Sequence, residues 1–195
     1  SQRGSPFNIQ RSLKVTNLTH YEVKELYRHY MAESGQTIEA QVVDKVYHST
    51  NGQPGLVSWF GELLTEQYNP GTDFVIGLET WEKVWGKARF VEPNNTVMNL
   101  IAKARDLEYQ DFLIKLFANS SVPFSFHRPL CSYLYLHGII KPVSIQQPNG
   151  KQEEVCRFSS PFIQDCLYYA LTDEIVGDDM PILPLPPLDD LADVF

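Results

Sequence analysis

Cysteine is scarce in this chain of 195 residues and follows no motif spacing. The three cysteines form an odd set, and none belongs to a C-x-x-C pair. This pattern argues against a disulfide framework and against a zinc site, and it is typical of proteins of the reducing cytoplasm. The chain also lacks a signal-peptide pattern and any apolar run of about 18 residues, so we expect a cytoplasmic protein without a membrane span.

Positive charge is missing from the end of the chain. From Asp173 onward there is no lysine or arginine, and this stretch holds seven of the 24 acidic residues, which leaves 17 acids against all 16 bases elsewhere. The formal charge of −8 therefore comes mainly from the last residues, and the remainder is nearly neutral. Bulk charge gives no reason to expect nucleic acid or an anionic membrane as a partner.

Motifs of catalytic chemistry are also missing. No histidine pair has the spacing of a zinc helix, no G-x-S-x-G elbow marks a serine nucleophile, and there is no G-x-x-x-x-G-K-[ST] phosphate loop. No apolar strand ends in an acidic pair that would hold Mg²⁺. We therefore predict no catalytic residue, no metal ligand and no enzymatic activity of this chain on its own.

The patterns that are present predict a mainly α protein with one or two domains. Apolar residues make up 43% and aromatic residues 12% of the chain, which suits a folded core. The first helix follows a capping box of Thr19 and Glu22 and stops at Gly35. Three more helices are predicted at about 38–49, from the turn at 51–55 to about 68, and at about 79–91.

The second half of the chain has a different order of elements. A helix over about 96–118 with a break near Arg105, a short extended piece and a helix over about 128–137 precede two strands around Asn149-Gly150. Ser160-Pro161 then opens a last helix. This order is the winged-helix pattern. The predicted layout is a linker or trailing edge of a preceding domain at 1–16, a four-helix bundle at 17–93, a winged helix with a β-hairpin wing at 94–175, and an acidic, proline-rich tail at 176–195.

The start of the third helix is unusually rich in glycine and proline, the residues with special backbone conformations. Its sequence is Asn51-Gly52-Gln53-Pro54-Gly55, with two glycines around a proline. In one interpretation Asn51 caps the helix, Gly52 turns the chain and Pro54 stiffens the turn. In the other, the proline ring offers a flat apolar surface to a ligand and glycine keeps the approach open, at no cost in hydrogen bonds because the first helical N–H groups have no helical acceptor.

Several stretches resemble the lid and winged-helix region of bacterial AAA-like ATPases of the STAND and replication-initiator type. They are SPFNI, TNLTHYEVKELYRHY, VYHSTNGQPGLVSWFGELL, SYLYLHGII and CRFSSPFIQDCLYYAL, and the resemblance covers essentially residues 5–172. It implies a separate P-loop domain that binds ATP or ADP with Mg²⁺ and over which this region closes in signalling or assembly. In that family a G-x-P proline packs against adenine, which implies Pro54 here, with Gly52 allowing close approach.

The chain departs from the family pattern in its charged residues. STAND relatives often place a histidine before the last winged-helix helix, where it reaches the nucleotide phosphate; here the sequence is Arg-Phe-Ser-Ser-Pro, and Arg157 is the candidate replacement. Lys87 and Arg89 are the candidates for a second-sensor residue. Because the chain begins with Ser rather than Met, we expect it to be a piece of a longer protein.

Two alternatives remain open at the level of sequence. A winged helix that binds DNA would use Arg128, Lys141 and Lys151, but its reading helix is mostly aromatic and aliphatic, and Glu153 and Glu154 offset the charge of the wing. Protein contact is therefore favoured over DNA. A pure interaction module would use the tail or an aromatic helix face (Tyr133, Tyr135). The expected partners are the P-loop domain and a protein partner or a second copy.

Overall fold

The computed structural model describes residues 16–119, 121–147 and 150–175. These residues contain eight α-helices and four short strands, joined by turns and loops. The helices are α1 His20–Ser34, α2 Ala40–Thr50, α3 Pro54–Glu62, α4 Leu78–Phe90, α5 Asn95–Ala104, α6 Leu107–Ala118, α7 Pro129–Leu136 and α8 Pro161–Ile175. The strands are β1 Thr37–Ile38, β2 Val75–Ile76, β3 Ile140–Gln146 and β4 Gln152–Phe158. The mainly helical class is confirmed. Residues 1–15 of the predicted linker and the whole predicted tail at 176–195 lie outside the described residues.

The first helix begins and ends where its sequence predicts. The backbone N–H of Thr19 donates to Glu22 Oε2 at 2.7 Å, and the Glu22 N–H donates back to Thr19 Oγ1 at 3.2 Å, which is a complete capping box. At the other end Gly35 has a φ of 75° and donates its N–H to the Met31 carbonyl at 3.0 Å. Local signals therefore account for both ends of α1.

The third helix changes its winding before it ends. After Glu62 the chain continues as a π-helix over Leu63–Gln67, closed by the Tyr68 N–H donating to the Leu63 carbonyl at 3.1 Å. The buried amide of Gln36 joins this helix end to the loop that follows it, since its Nε2 lies 3.2 Å from the Thr65 carbonyl oxygen and 2.6 Å from that of Asn69. A long-range partner thus stabilises a helix end that local sequence predicts only as a continuing α-helix.

A parallel pair of two-residue strands joins the segment before α2 to the loop before α4. Thr37 pairs with Val75 and Ile38 pairs with Ile76, and both isoleucines are buried. The sequence predicts only a turn-rich loop over 69–77, and this part of the prediction is incomplete. Two residues carry too little periodicity to predict a strand, and the pairing depends on a partner 38 positions along the chain.

In the second half, the break near Arg105 and the hairpin are both present. Asp106 caps α6 directly after Arg105 ends α5. Strands β3 and β4 pair antiparallel from Ile140 with Phe158 to Gln146 with Gln152; Gly150 has a φ of 79°, and Asn149 lies outside the described residues. The predicted extended piece runs along β4, where the Cys156 N–H donates to the Val122 carbonyl at 2.8 Å.

Helix α8 lies at the centre of the core and packs against α2, α4, α5 and α6. Its Phe162 is fully buried, with ring centroids 5.1 Å from Phe60, 5.7 Å from Trp59 and 5.5 Å from Trp85. The buried residues of both halves therefore form one continuous cluster. The domain boundary between 93 and 94 stays a prediction, because no break in the core of the described residues marks it.

Substituting Phe162→Ala should destabilise the whole described fold. Truncating a fully buried phenylalanine costs about 3–5 kcal/mol in the free energy of unfolding, because it leaves a cavity and removes ring contacts. Chemical denaturation followed by circular dichroism measures the loss. The control is Leu136→Ala, at a side chain that is 78% exposed, which should change the free energy by less than about 0.5 kcal/mol. A loss below about 1 kcal/mol for Phe162→Ala would contradict the shared core.

Candidate functional site

A cleft of about 300 Å³ lies where the start of α3, the end of α7 and the start of α8 meet. Its volume is at the lower end of the range of small-molecule sites, roughly 300–1,000 Å³. The lining residues with polar side chains are Asn17, Thr50, Asn51, Gln53, Thr96, Tyr135, His137, Lys141, Ser159 and Ser160. None of the described residues that line it is an aspartate or a glutamate, although the chain as a whole is acidic. The cleft therefore suits an anionic or neutral ligand better than a cationic one.

Gly52, one of the predicted ligand-contacting residues, lies against the protein's own backbone. Its φ is 69°, and a Cβ at this position would overlap the carbonyl oxygen of Leu18. The Leu18 N–H donates to the Gly52 carbonyl at 2.7 Å, and Asn17 Nδ2 donates to the Asn51 carbonyl at 2.7 Å. The close approach that glycine permits here is that of the chain preceding α1.

Pro54 is the first residue of α3 and is half-buried, and it is absent from the cleft lining, whereas its neighbour Gln53 is part of it. The expectation that Asn51 caps this helix is corrected. Asn51 ends α2 in the left-handed conformation with a φ of 51°. Gln53 is the N-cap of α3, and its Oε1 accepts the Leu56 N–H at 2.5 Å.

Lys141, assigned above to a DNA-binding alternative, is the lysine of the cleft. It lies opposite Arg157 in the β3–β4 register, so the two side chains share one face of the hairpin. Arg157 Nη1 donates to the Cys156 carbonyl at 2.9 Å, and this arginine does not line the cleft. The structure thus brings Lys141 rather than Arg157 to the lining of the cleft, to which Gln53 also belongs.

The lysine and the histidine of the cleft are both partly withdrawn from water. Burial lowers the pKa of Lys141 below its usual range. Burial, and to a smaller extent the charge of Lys103, lowers the pKa of His137. Lys103 Nζ lies 2.5 Å from His137 Nδ1. Because an ammonium group can only donate, Nδ1 accepts and the neutral imidazole carries its hydrogen on Nε2.

The other residues of the DNA-binding alternative lie apart from Lys141. Lys151 is exposed beyond the far end of the hairpin, about 20 Å from Lys141 by strand rise. Arg128 is exposed at the start of α7, and its Nη1 donates to the Pro123 carbonyl at 3.0 Å. Lys141 and Lys151 therefore do not form one basic patch of the kind that binds a duplex.

Arg89, a second-sensor candidate, is bound to the last helix. Its Nη1 lies 3.1 Å from Asp165 Oδ2, its guanidinium stacks over the Trp85 ring at 5.1 Å, and its buried Nε has no partner among the described atoms. Burial raises the pKa of Asp165, and Arg89 partly offsets that rise. This largely buried pair links α4 to α8, beside a cavity of about 200 Å³. Lys87 lies on the same helix and does not line the cleft.

The three cysteines are buried and free. Cys131 Sγ and Cys156 Sγ are 3.9 Å apart, and burial raises the pKa of Cys156 and of Cys166 to about 12. Thiols with such pKa values are protonated near neutral pH and are poor nucleophiles. Among the residues described here, no three side chains of histidine, cysteine, aspartate or glutamate lie close enough together to hold a metal ion.

The aromatic face of α7 is largely engaged within the protein. The Tyr133 ring stacks on Tyr109 with centroids 4.2 Å apart, and the Tyr135 ring meets Phe126 edge-on at 5.2 Å. Exposed apolar surface remains beside them at Phe126 and Leu136, which are 60% and 78% exposed. The exposed part of this surface therefore consists of Phe126 and Leu136, whereas the two tyrosines are partly buried against other rings.

Comparison with known proteins finds no matching family model, no matching curated protein and no matching solved structure. In the part of the chain that the structure describes, no helix combines the length and the apolarity needed to cross a membrane.

Replacing Gly52 with alanine should destabilise the protein, whereas Gly86→Ala should not. The Gly52 substitution forces a Cβ against the Leu18 carbonyl at a positive φ, and we expect a loss of more than about 1 kcal/mol. Gly86 lies inside α4, and a methyl group added there would meet no atom within 4 Å, so alanine should stabilise the helix by about 0.5–1 kcal/mol. Thermal and chemical unfolding compare the two variants; equal effects would contradict the Gly52 contact.

The imidazole of His137 should titrate below the ordinary histidine range. Its charged form is disfavoured in the folded state, so the folded protein loses stability as the pH falls through the ordinary pKa of about 6.5 toward the lowered value. Proton NMR of the ring measures the pKa directly. Lys103→Met should raise it only in part, because burial is the larger cause. A His137 pKa at or above the ordinary value would contradict the described surroundings.

Proposed function

We propose that this chain is the lid and winged-helix portion of an AAA-like ATPase of the STAND type. It is a non-catalytic regulatory region that closes over ATP or ADP and Mg²⁺ held by a P-loop domain outside this chain. The observation that carries the proposal is the shared cleft, in which the residue before Pro54 and the residues before α8 line one cavity. These residues are close in sequence to Pro54 and Arg157, at which the resemblance expects nucleotide contact, although Pro54 and Arg157 themselves do not line the cavity.

The order of the elements supports the same proposal. Four helices, α1 to α4, precede a second group in which the β3–β4 hairpin lies between α7 and α8. The extended residues 122–124 run beside β4, as a third strand does in a winged helix. The hairpin is then the wing, and α1–α4 are the lid.

The packing of α8 gives the region a way to transmit the state of the nucleotide. Helix α8 begins at the cleft and continues past Phe60 and Arg89, which belong to α3 and α4. A ligand that moves the start of α8 therefore changes its packing against the lid. Coupling through one packed helix with two arrangements is a common basis of switching.

Protein contact remains favoured over DNA contact. Glu153 and Glu154 follow Lys151 in the hairpin, and Gln147 Nε2 donates to Glu153 Oε2 at 2.6 Å. Acidic side chains on a wing oppose the approach of phosphates. The proposed partners are the P-loop domain and a further protein or a second copy of the chain, and no membrane contact is proposed.

Substituting Pro54→Ala should weaken ADP binding by the longer protein that contains the P-loop domain. The loss of one apolar ring contact with a base corresponds to about 1 kcal/mol, or roughly five- to tenfold in Kd. Isothermal titration calorimetry measures the affinity. Pro70→Ala, at an exposed proline, is the matched control and should leave Kd unchanged. Equal Kd values for Pro54→Ala and the unsubstituted protein would contradict a contact between Pro54 and adenine.

A further inference from the structure

An apolar groove is open to solvent beside the Arg89–Asp165 pair, where α4 ends and α5 packs against α8. It is the cavity of about 200 Å³ described above. Phe90 and Met98 line it and are 59% and 54% exposed. The Phe90 ring meets the partly buried Tyr169 ring edge-on with centroids 4.8 Å apart, so the two rings form one aromatic wall. Exposed aromatic and thioether side chains around a cavity are typical of a docking surface.

The chain that follows α8 contains an apolar segment suited to such a groove. Residues 180–188 have the sequence MPILPLPPL, with four prolines and five other apolar side chains, and two aspartates flank the segment on each side. Proline has no backbone N–H to donate within a helix or a sheet, so sequences this rich in proline cover their apolar side chains against another surface. Such segments bind as extended chains to grooves lined by aromatic rings.

The segment 180–188 begins close enough to α8 to reach the groove. Tyr169 lines the groove six positions before Ile175, the last residue of α8, which corresponds to about 9 Å of helix. The five residue steps from Ile175 to Met180 span up to about 17 Å when extended, so the chain can return over this distance. A tether this short gives the segment an effective concentration of about 1 mM. A groove with a Kd of about 0.1 mM would then be filled in about nine molecules of ten.

We propose that the segment 180–188 binds this groove of the same molecule and covers the wall formed by Phe90 and Tyr169. A second copy or another protein would have to supply a similar segment at about 1 mM to compete with the tethered one. The bound segment contacts α4, α5 and α8 together and so holds the last helix against both halves of the fold. The proposal does not rest on the proposed function, because it requires neither a nucleotide nor a P-loop domain.

The test is methyl NMR of the full chain labelled at methionine. The chain has three methionines, of which Met98 lines the groove, Met180 begins the segment and Met31 lies in α1 as an internal reference. We expect the Met180 methyl group to relax as Met31 does and to differ in chemical shift from a free peptide of residues 176–195. Leu185→Ser should weaken docking at least about fivefold, because one apolar side chain leaves the groove. It should therefore move the Met180 signal toward that of the peptide and shift the Met98 signal.

Matched variants separate docking from other effects. Val194→Ser, outside the segment, should change neither methyl signal. Phe90→Ser removes one ring of the wall and should release Met180 as Leu185→Ser does, whereas Leu107→Ser, at a side chain that is 79% exposed and is not part of the groove lining, should not. Leu185 lies outside the described residues, so its substitution tests docking even if Phe90→Ser unfolds the protein.

Three results would overturn the proposal. The first is a Met180 signal that is identical in the full chain and in the free peptide. The second is a Met98 signal that Leu185→Ser leaves unchanged. The third is a Met180 signal that reverts to that of the peptide on dilution, since a second copy would then supply the segment. None of these measurements involves ADP, so their failure leaves the nucleotide proposal standing, and a failure of Pro54→Ala to weaken ADP binding leaves this one standing.

Discussion

The packing of Phe162 among Trp59, Phe60 and Trp85 is the interaction on which the rest of the structure depends. It seats the first turn of α8 against α3 and α4 and so fixes where the last helix begins. The β3–β4 hairpin leads into that helix through Ser159 and Ser160. The cleft exists because the starts of α3 and α8 are held side by side. An aromatic cluster of this size contributes several kcal/mol, more than any single polar contact described here.

Much of the helical framework could be predicted from the sequence because its signals are local. The capping box at Thr19, Gly35 at the end of α1 and the Ser160-Pro161 start of α8 each act within one turn of helix. The β1–β2 pair and the π-helix could not be predicted because they depend on partners far along the chain. Pairing of Ile38 with Ile76 and capping by Gln36 leave no periodic pattern in the residues that make them.

The candidate site was predictable only in outline. The sequence pattern points to the stretch around Gly52 and Pro54, and the cleft does border it, but through Asn51 and Gln53. Arg157 and Lys141 could not be distinguished in advance, because they are opposite one another in a strand pair and only the tertiary position of the hairpin decides which one reaches the cleft. His137 looks in the sequence like the end of a helix, and its lowered pKa comes from burial and, to a smaller extent, from Lys103 of α5, neither of which the local sequence shows. Sites that lie between secondary-structure elements are generally hard to predict from sequence, because each segment contributes one or two residues and no single segment shows a motif.

The backbone contact between Leu18 and Gly52 has a mechanical meaning. Two hydrogen bonds, from the Leu18 N–H and from Asn17 Nδ2, attach the chain just before α1 to the turn between α2 and α3. A force that pulls on the residues preceding Asn17 would therefore act first on these two hydrogen bonds and on the turn between α2 and α3, and only then on α1. Since Asn17 and Asn51 also line the cleft, tension in the incoming chain and occupancy of the cleft act on the same few atoms. Gly52, which has no side chain to separate the two segments, is the residue that makes this attachment possible.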